Sequence, residues 1–351
     1  MAKLPTTDEG RPDTANGNRR YHVTVLVLVA VLAVLIFISL SIGQYSMDPR
    51  DMLSAVWNTL TGQEGSTDMV TIVFSVRLPR MLAALMVGSA LSLSGALYQS
   101  VFRNPLVSSD LLGVSTGACV GAAIAILLNW GVMAQQSCAF ICGLVAVGIS
   151  IVIPRLVGNT SNMMLVLSGI ITSGFMGSIL GIIKFVADPD SQLSAIVYWQ
   201  MGSLATASAS DVWQMLPLYL LCSVAMIALS WRLNILSFGE AEARTLGMNV
   251  KFMRGLVILC ASLPTASTVC TSGTIGWIGL VIPHLARLLV GSDNRRVVPI
   301  TLLLGGVFLL VMDTLARTLI SSEIPLSILT GLIGAPFYAW LLYHQRTVSA
   351  S

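Results

Sequence analysis

The sequence predicts an all-α polytopic membrane protein with about ten transmembrane helices, and three observations carry that prediction. The chain is 55% hydrophobic and only 10% charged over its 351 residues, whereas soluble domains carry roughly 25% charged residues. Apolar stretches of about 20 residues recur along the whole length, each enough to cross the hydrocarbon core as a helix. The strict alternation of a barrel strand is absent, so helices are left as the way to satisfy every backbone group in lipid. A single large soluble core is excluded.

Residues 1–20 are polar, rich in Pro, Gly, Asn and charge, and are expected to be disordered. The apolar run that follows is longer than a signal-peptide core and lacks a small-residue cleavage site, so it is expected to be a retained first helix. The candidate spans are about 23–43, 81–102, 111–130, 133–153, 163–187, 212–231, 253–272, 275–291, 297–320 and 325–343. Between the first two, Asp48-Pro49-Arg50-Asp51 starts a short amphipathic helix, with an N-cap and a proline in the first turn. Leu53, Val56, Trp57 and Leu60 then share one face, as in an interfacial helix. The domain plan is one ten-helix unit over 21–346 with a tail at 347–351, both termini lying on one side.

Between the second and third spans, Ser94 to Gly121 runs apolar, breaks at Arg103-Asn104-Pro105, and resumes with Gly113, Gly117 and Gly121. Proline removes a donor and disfavours helix at the residue before it, so the chain turns there. Asn104 before proline is also a common turn initiator. Glycines four apart lie on one helix face and admit a close neighbour in lipid.

Charge sets the orientation. Of the 19 Lys and Arg residues, 14 fall in segments on the side of the termini and five on the other: Arg50, Arg77, Arg80, Lys184 and Arg317. The positive-inside rule therefore places both termini in the cytoplasm. The net charge of +3 belongs to these loops, and nothing points to nucleic acid. Six cysteines sit in or beside apolar spans without a CxxC pair and read as small core residues, with no metal site.

The motifs that are missing narrow the mechanism. There is no GxxxxGK[ST] loop to cradle nucleotide phosphates, and no HExxH or GxSxG. Paired carboxylates at mid-membrane depth, the mark of proton pathways, are also missing. A proton-driven carrier and an intramembrane hydrolase are thus poorly supported, and no cofactor is expected in this chain. The cytoplasmic segment 237–248 is where an outside energy source would act. Ser237 and Glu240 have capping-box spacing, Glu240 and Arg244 stand one turn apart, and Gly247 suits a C-terminal cap. The alternative is a merely solvated connection.

The chain resembles the permease subunits of the iron-chelate and vitamin B12 type of ABC importer, the FecCD-like family. The resemblance rests on Arg77-Leu-Pro-Arg80, Ser94-Gly95-Ala96 with Gln99, Asn104-Pro105-Leu106, and Leu111-Leu112-Gly113-Val114-Ser115. It continues through Gly276-Trp277-Ile278-Gly279-Leu280, Ile282-Pro283-His284-Leu285-Ala286-Arg287, Asp313-Thr-Leu-Ala316-Arg317 and Gly334-Ala335-Pro336-Phe337. It implies the type II importer permease fold in a bacterial cytoplasmic membrane. It also implies a second permease subunit, identical or paralogous, two cytoplasmic ATPases carrying ATP and Mg, and an extracytoplasmic binding protein.

By the same resemblance, Ser237, Glu240, Arg244, Leu246 and Gly247 belong to the ATPase-coupling region. Arg77, Arg80 and Arg317 match arginines that receive acidic residues of the binding protein. Two alternatives stand beside that role: anchoring of span ends at the interface, and an i,i+4 pair of Arg317 with Asp313. Asn104 and Thr160-Ser161-Asn162 align with the cytoplasmic narrowing of the pathway, a translocation gate. His284 is expected to be structural. The implied cargo is an iron chelate, a ferric siderophore or haem. A corrinoid is the alternative, and an ATP-independent carrier is the reading from another class.

Overall fold

In the computed structural model the described residues are 14–43, 57, 61, 70–320 and 322–349. The amphipathic helix expected over 48–60 lies outside them, apart from Trp57. The described residues form thirteen α-helices. They are α1 (Thr14–Ser41), α2 (Leu78–Phe102), α3 (Val114–Leu127), α4 (Val132–Leu156), α5 (Asn162–Val186), α6 (Gln192–Gln200) and α7 (Ala209–Ala228). Then come α8 (Ser230–Phe238), α9 (Glu240–Thr245), α10 (Val250–Ser272), α11 (Ile278–Val290), α12 (Asn294–Ala316) and α13 (Leu326–Ser349). A π-helical turn, Ile72–Arg77, leads into α2.

Every one of the ten expected spans is a helix, although two are short for a membrane. Among the described residues seven helices are long and apolar enough to cross on their own, whereas Val114–Leu127 and Ile278–Val290 are shorter. Local backbone explains both. Gly113 (φ 77°) sets a left-handed N-cap ahead of α3, and Trp277 (φ 71°) does the same ahead of α11. Two further helices, α6 and α8, were not expected, because nine residues give too few turns for a periodic signal.

α2 is the axis of the bundle, buried over nearly its whole length, whereas α1 lies at the periphery and is mostly exposed. Lipid tails are as apolar as leucine, so helices here must gain by close backbone contact. That is what the small residues provide. A Cβ on Gly95 would sit 1.8 Å from the Gly279 carbonyl oxygen, and one on Gly88 would sit 2.2 Å from that of Gly305. α2 therefore touches α11 and α12 backbone to backbone.

Two apolar clusters stack along this axis. One gathers Leu97, Tyr98, Met226, Leu233 and Met253, and the other Val87, Leu91, Ile278, Leu309 and Leu326.

The expected packing face on α3 holds for two of its three glycines. Gly117 and Gly121 lie against α4, where a Cβ would stand 2.6 Å from the Cys142 oxygen and 2.1 Å from that of Cys138. Gly113 instead precedes the helix in a left-handed conformation and faces Ser173 of α5. The four-residue spacing failed there because Gly113 is not helical.

Candidate functional site

Polar side chains concentrate at the two ends of the bundle, separated by the 25 residues of α2, about 37 Å at 1.5 Å per residue.

At the end where α1 and α12 finish and α2 begins, three arginines share one buried cluster. Arg80 donates from Nη2 to Asp313 at 2.8 Å and from Nη1 to Glu323 at 2.7 Å. Arg77 donates to the Leu40 carbonyl and, at 3.1 Å, to the Ser41 carbonyl. Arg317 donates to the Ser39 hydroxyl at 2.7 Å and stands 3.8 Å from Asp313. All three residues are buried.

Arg77, Arg80 and Arg317, expected to receive acidic residues of a binding protein, have their side chains engaged within this cluster in the single chain. Three arginines meet two carboxylates here, Asp313 and Glu323, so formal positive charge is in excess. The i,i+4 pair of Arg317 and Asp313 is present, within a larger network. Glu323 was missed because its partner lies 243 residues away. A cavity of about 600 Å³, lined in part by Gln136, Ser208, Asp211, Gln214 and Thr271, opens where α4 and α7 begin and α10 ends.

At the opposite end lies the 237–248 segment, which is a helix with one predicted cap and one unpredicted one. α8 runs through Ser237, whose hydroxyl donates to the Asn234 carbonyl at 2.6 Å. The Ser237–Glu240 capping box is therefore not formed. Gly239 (φ 137°) takes the N-cap position instead, in backbone territory a side chain rarely enters. The C-terminal cap is as expected. Gly247 (φ 77°) is left-handed, its N–H bonds the Arg244 carbonyl at 2.9 Å, and Met248 N–H bonds the Ala243 carbonyl at 3.0 Å. Those two bonds make a Schellman motif.

Glu240 accepts from Arg244 at 3.4 Å, as the spacing predicted, but also from Arg254 of α10. Leu246 is exposed at the tip. The element is held from behind. Asn234 of α8 donates to Asp293 at 2.6 Å and accepts from the Asn294 N–H at 2.8 Å, at the start of α12.

The candidate gate residues gather at this same end. Arg103 is left-handed (φ 51°) and closes α2; the Asn104 Oδ1 then accepts the Leu106 N–H at 2.9 Å. Asn104 thus shapes its own turn and is exposed. Ser161 is the N-cap of α5, accepting from Met164 N–H at 3.3 Å. Asn162 donates to the Val101 carbonyl at 3.0 Å, tying α5 to the last turn of α2. The Thr160 carbonyl accepts from Arg254 at 2.8 Å.

Gln99, one of the motif residues, donates to the Val107 carbonyl at 3.2 Å and the Gly279 carbonyl at 3.3 Å, and accepts from Arg287. It locks the elbow to α11. His284 packs edge-on against Tyr338 at 6.1 Å between ring centres, a structural contact.

An apolar helical bundle with polar ends, and a short capped helix mounted on one of them, fits a multi-pass membrane protein. The FecCD transport family matches residues 31–344. The chain belongs to that family and is an ABC importer permease. It is 38% identical over 326 residues to the molybdate import system permease protein of Haemophilus influenzae, covering 93% of this chain and 97% of that one. It is also 38% identical over 342 residues to a probable iron chelatin transport system permease protein of Helicobacter pylori, covering 94% and 99%. Among solved structures, an inward-facing metal-chelate type ABC transporter matches with a TM-score of 0.81 and 37% identity, covering 91% of this chain and 98% of that one.

Proposed function

We propose that this chain is the membrane subunit of an ATP-driven importer for an iron chelate, a ferric siderophore or haem. Extracytoplasmic binding protein would deliver the cargo, and two cytoplasmic ATPase subunits holding ATP and Mg would drive transport. A second permease subunit, identical or paralogous, would complete the pathway in a bacterial cytoplasmic membrane, with both termini cytoplasmic. The observation that carries this reading is α9: a six-residue helix fixed by a Schellman cap and mounted on α8 and α10. A carrier working alone has no need for such a wedge. Closure of the ATPases would push on α9, a contact that differs between two states, as conformational coupling requires.

Cargo that already wraps its metal suits the interior. Among the described residues no group of three or more His, Cys, Asp or Glu is placed to hold a metal ion. A free cation would therefore find few ligands, whereas a chelate or an oxyanion carries its own. That same argument favours molybdate as the second reading, supported by the similarity to the Haemophilus protein.

Purified permease, ATPase and binding protein in proteoliposomes test both. We expect uptake of a radiolabelled ferric chelate that ceases when the ATPase subunit is omitted. Uptake that persists without it overturns the importer reading. Molybdate uptake with no chelate uptake would replace the first cargo by the second.

A further inference from the structure

Arg254 lies in the first turns of α10 and was not singled out by any motif. Its side chain is 10% exposed. The guanidinium is divided between two segments: Nη2 donates to the Glu240 carboxylate of α9, and Nη1 donates to the Thr160 carbonyl at 2.8 Å. The two segments are far apart in the chain, Thr160 lying 94 residues before Arg254. From Thr160 the path continues without a break. Ser161 caps α5, and Asn162 holds the Val101 carbonyl beside the Arg103-Asn104 elbow.

We propose that Arg254 is the positioning residue that transmits movement of α9 to the Thr160-Ser161-Asn162 loop, so that ATPase closure resets the cytoplasmic end of the pathway. This rests on the reading of α9 as the coupling element. Two comparisons support it. Arg244 also reaches Glu240, but at 3.4 Å and with 62% of its side chain exposed, where an ion pair is screened and weak. Arg254 makes the same carboxylate contact largely out of water, where charge-assisted bonds are stronger. Arginine is also the one side chain whose rigid fork can serve two acceptors in different directions; lysine is a single compact charge.

A chain of contacts is only spatial intermediacy until coupling is measured. The complete complex in liposomes, with permease, ATPase and binding protein, is therefore labelled with a nitroxide at Asn159→Cys, next to the loop. A second preparation carries it at Lys251→Cys, at the corner between α9 and α10. The signal of the native cysteines is subtracted using the unsubstituted chain. Spectra are compared without nucleotide and after vanadate trapping.

With Arg254 present, both labels should respond to trapping. With Arg254→Gln, the Lys251 label should still respond while the Asn159 label no longer does, and uptake per ATP hydrolysed should fall about tenfold, within the usual range of allosteric coupling. A purely structural role would alter both labels or neither. An undiminished Asn159 response in Arg254→Gln overturns the proposal. A Lys251 label that is silent even with Arg254 present overturns the reading of α9, and the proposal with it. If Arg254→Gln does not assemble, Arg254→Lys decides: it keeps the charge but one acceptor is lost, so the Asn159 response must shrink, and a full response again overturns the proposal.

Discussion

Removing Arg80 would take away the close partner of buried Asp313, leaving it only the longer 3.8 Å contact with Arg317, and would deprive Glu323 of the same partner. A carboxylate stripped of its near cation is costly in a low-dielectric interior. Breaking a buried pair in this way typically costs about 3–5 kcal/mol, whereas loss of an exposed ion pair costs at most about 1 kcal/mol. Arg80→Gln should therefore lower the thermal unfolding midpoint of the detergent-solubilised chain markedly, and Arg244→Gln hardly at all. Equal shifts would contradict the burial argument. The glycines make a second prediction at this scale. Gly121→Ala would put a methyl group 2.1 Å from the Cys138 carbonyl, while Gly131 has open space around it. Overpacking costs about 1–3 kcal/mol, so Gly121→Ala should destabilise and Gly131→Ala should be near neutral in the same melt. The residue scale is also where the sequence said least about partners. The burial of Arg77, Arg80 and Arg317 could not be read in one dimension, because Leu40, Ser41, Ser39 and Glu323 lie far from them in the chain.

At the scale of the element, α9 shows which caps can be read from a sequence. Gly247 was legible because a left-handed C-terminal position has a strong residue preference. The Ser237–Glu240 box was not, because the same spacing also fits the last turn of α8, and the hydrogen bonds of that helix captured Ser237 first. Gly247→Ala forces a side chain into a left-handed conformation, at a cost of roughly 1–2 kcal/mol. Hydrogen exchange should then show faster opening of the α9 amides, with weaker recovery of the ATPase on co-purification. Ser237→Ala should leave α9 exchange unchanged; protection lost there would restore the capping box. The short spans tell a similar story, since hydropathy marks where lipid is tolerated but not where Gly113 and Trp277 interrupt the helix.

At the scale of the whole molecule, the arrangement puts Asn159 and Thr318 at opposite ends of the bundle, both exposed. If the termini are cytoplasmic, a membrane-impermeant maleimide on intact cells should label Thr318→Cys and spare Asn159→Cys until the membrane is opened. The reverse pattern would invert the proposed orientation. The sequence by itself determined the class and the positions of the apolar helices, because burial in lipid acts on each segment through its own composition. Family membership was legible in motif order for the same reason: each motif is local. Only the tertiary structure decided that Arg77, Arg80 and Arg317 share one buried cluster, that α2 is the axis, and that Arg254 bridges α9 to the Thr160 loop. Those facts depend on pairs of groups far apart in the chain, and a buried charge takes its role from the partner it meets.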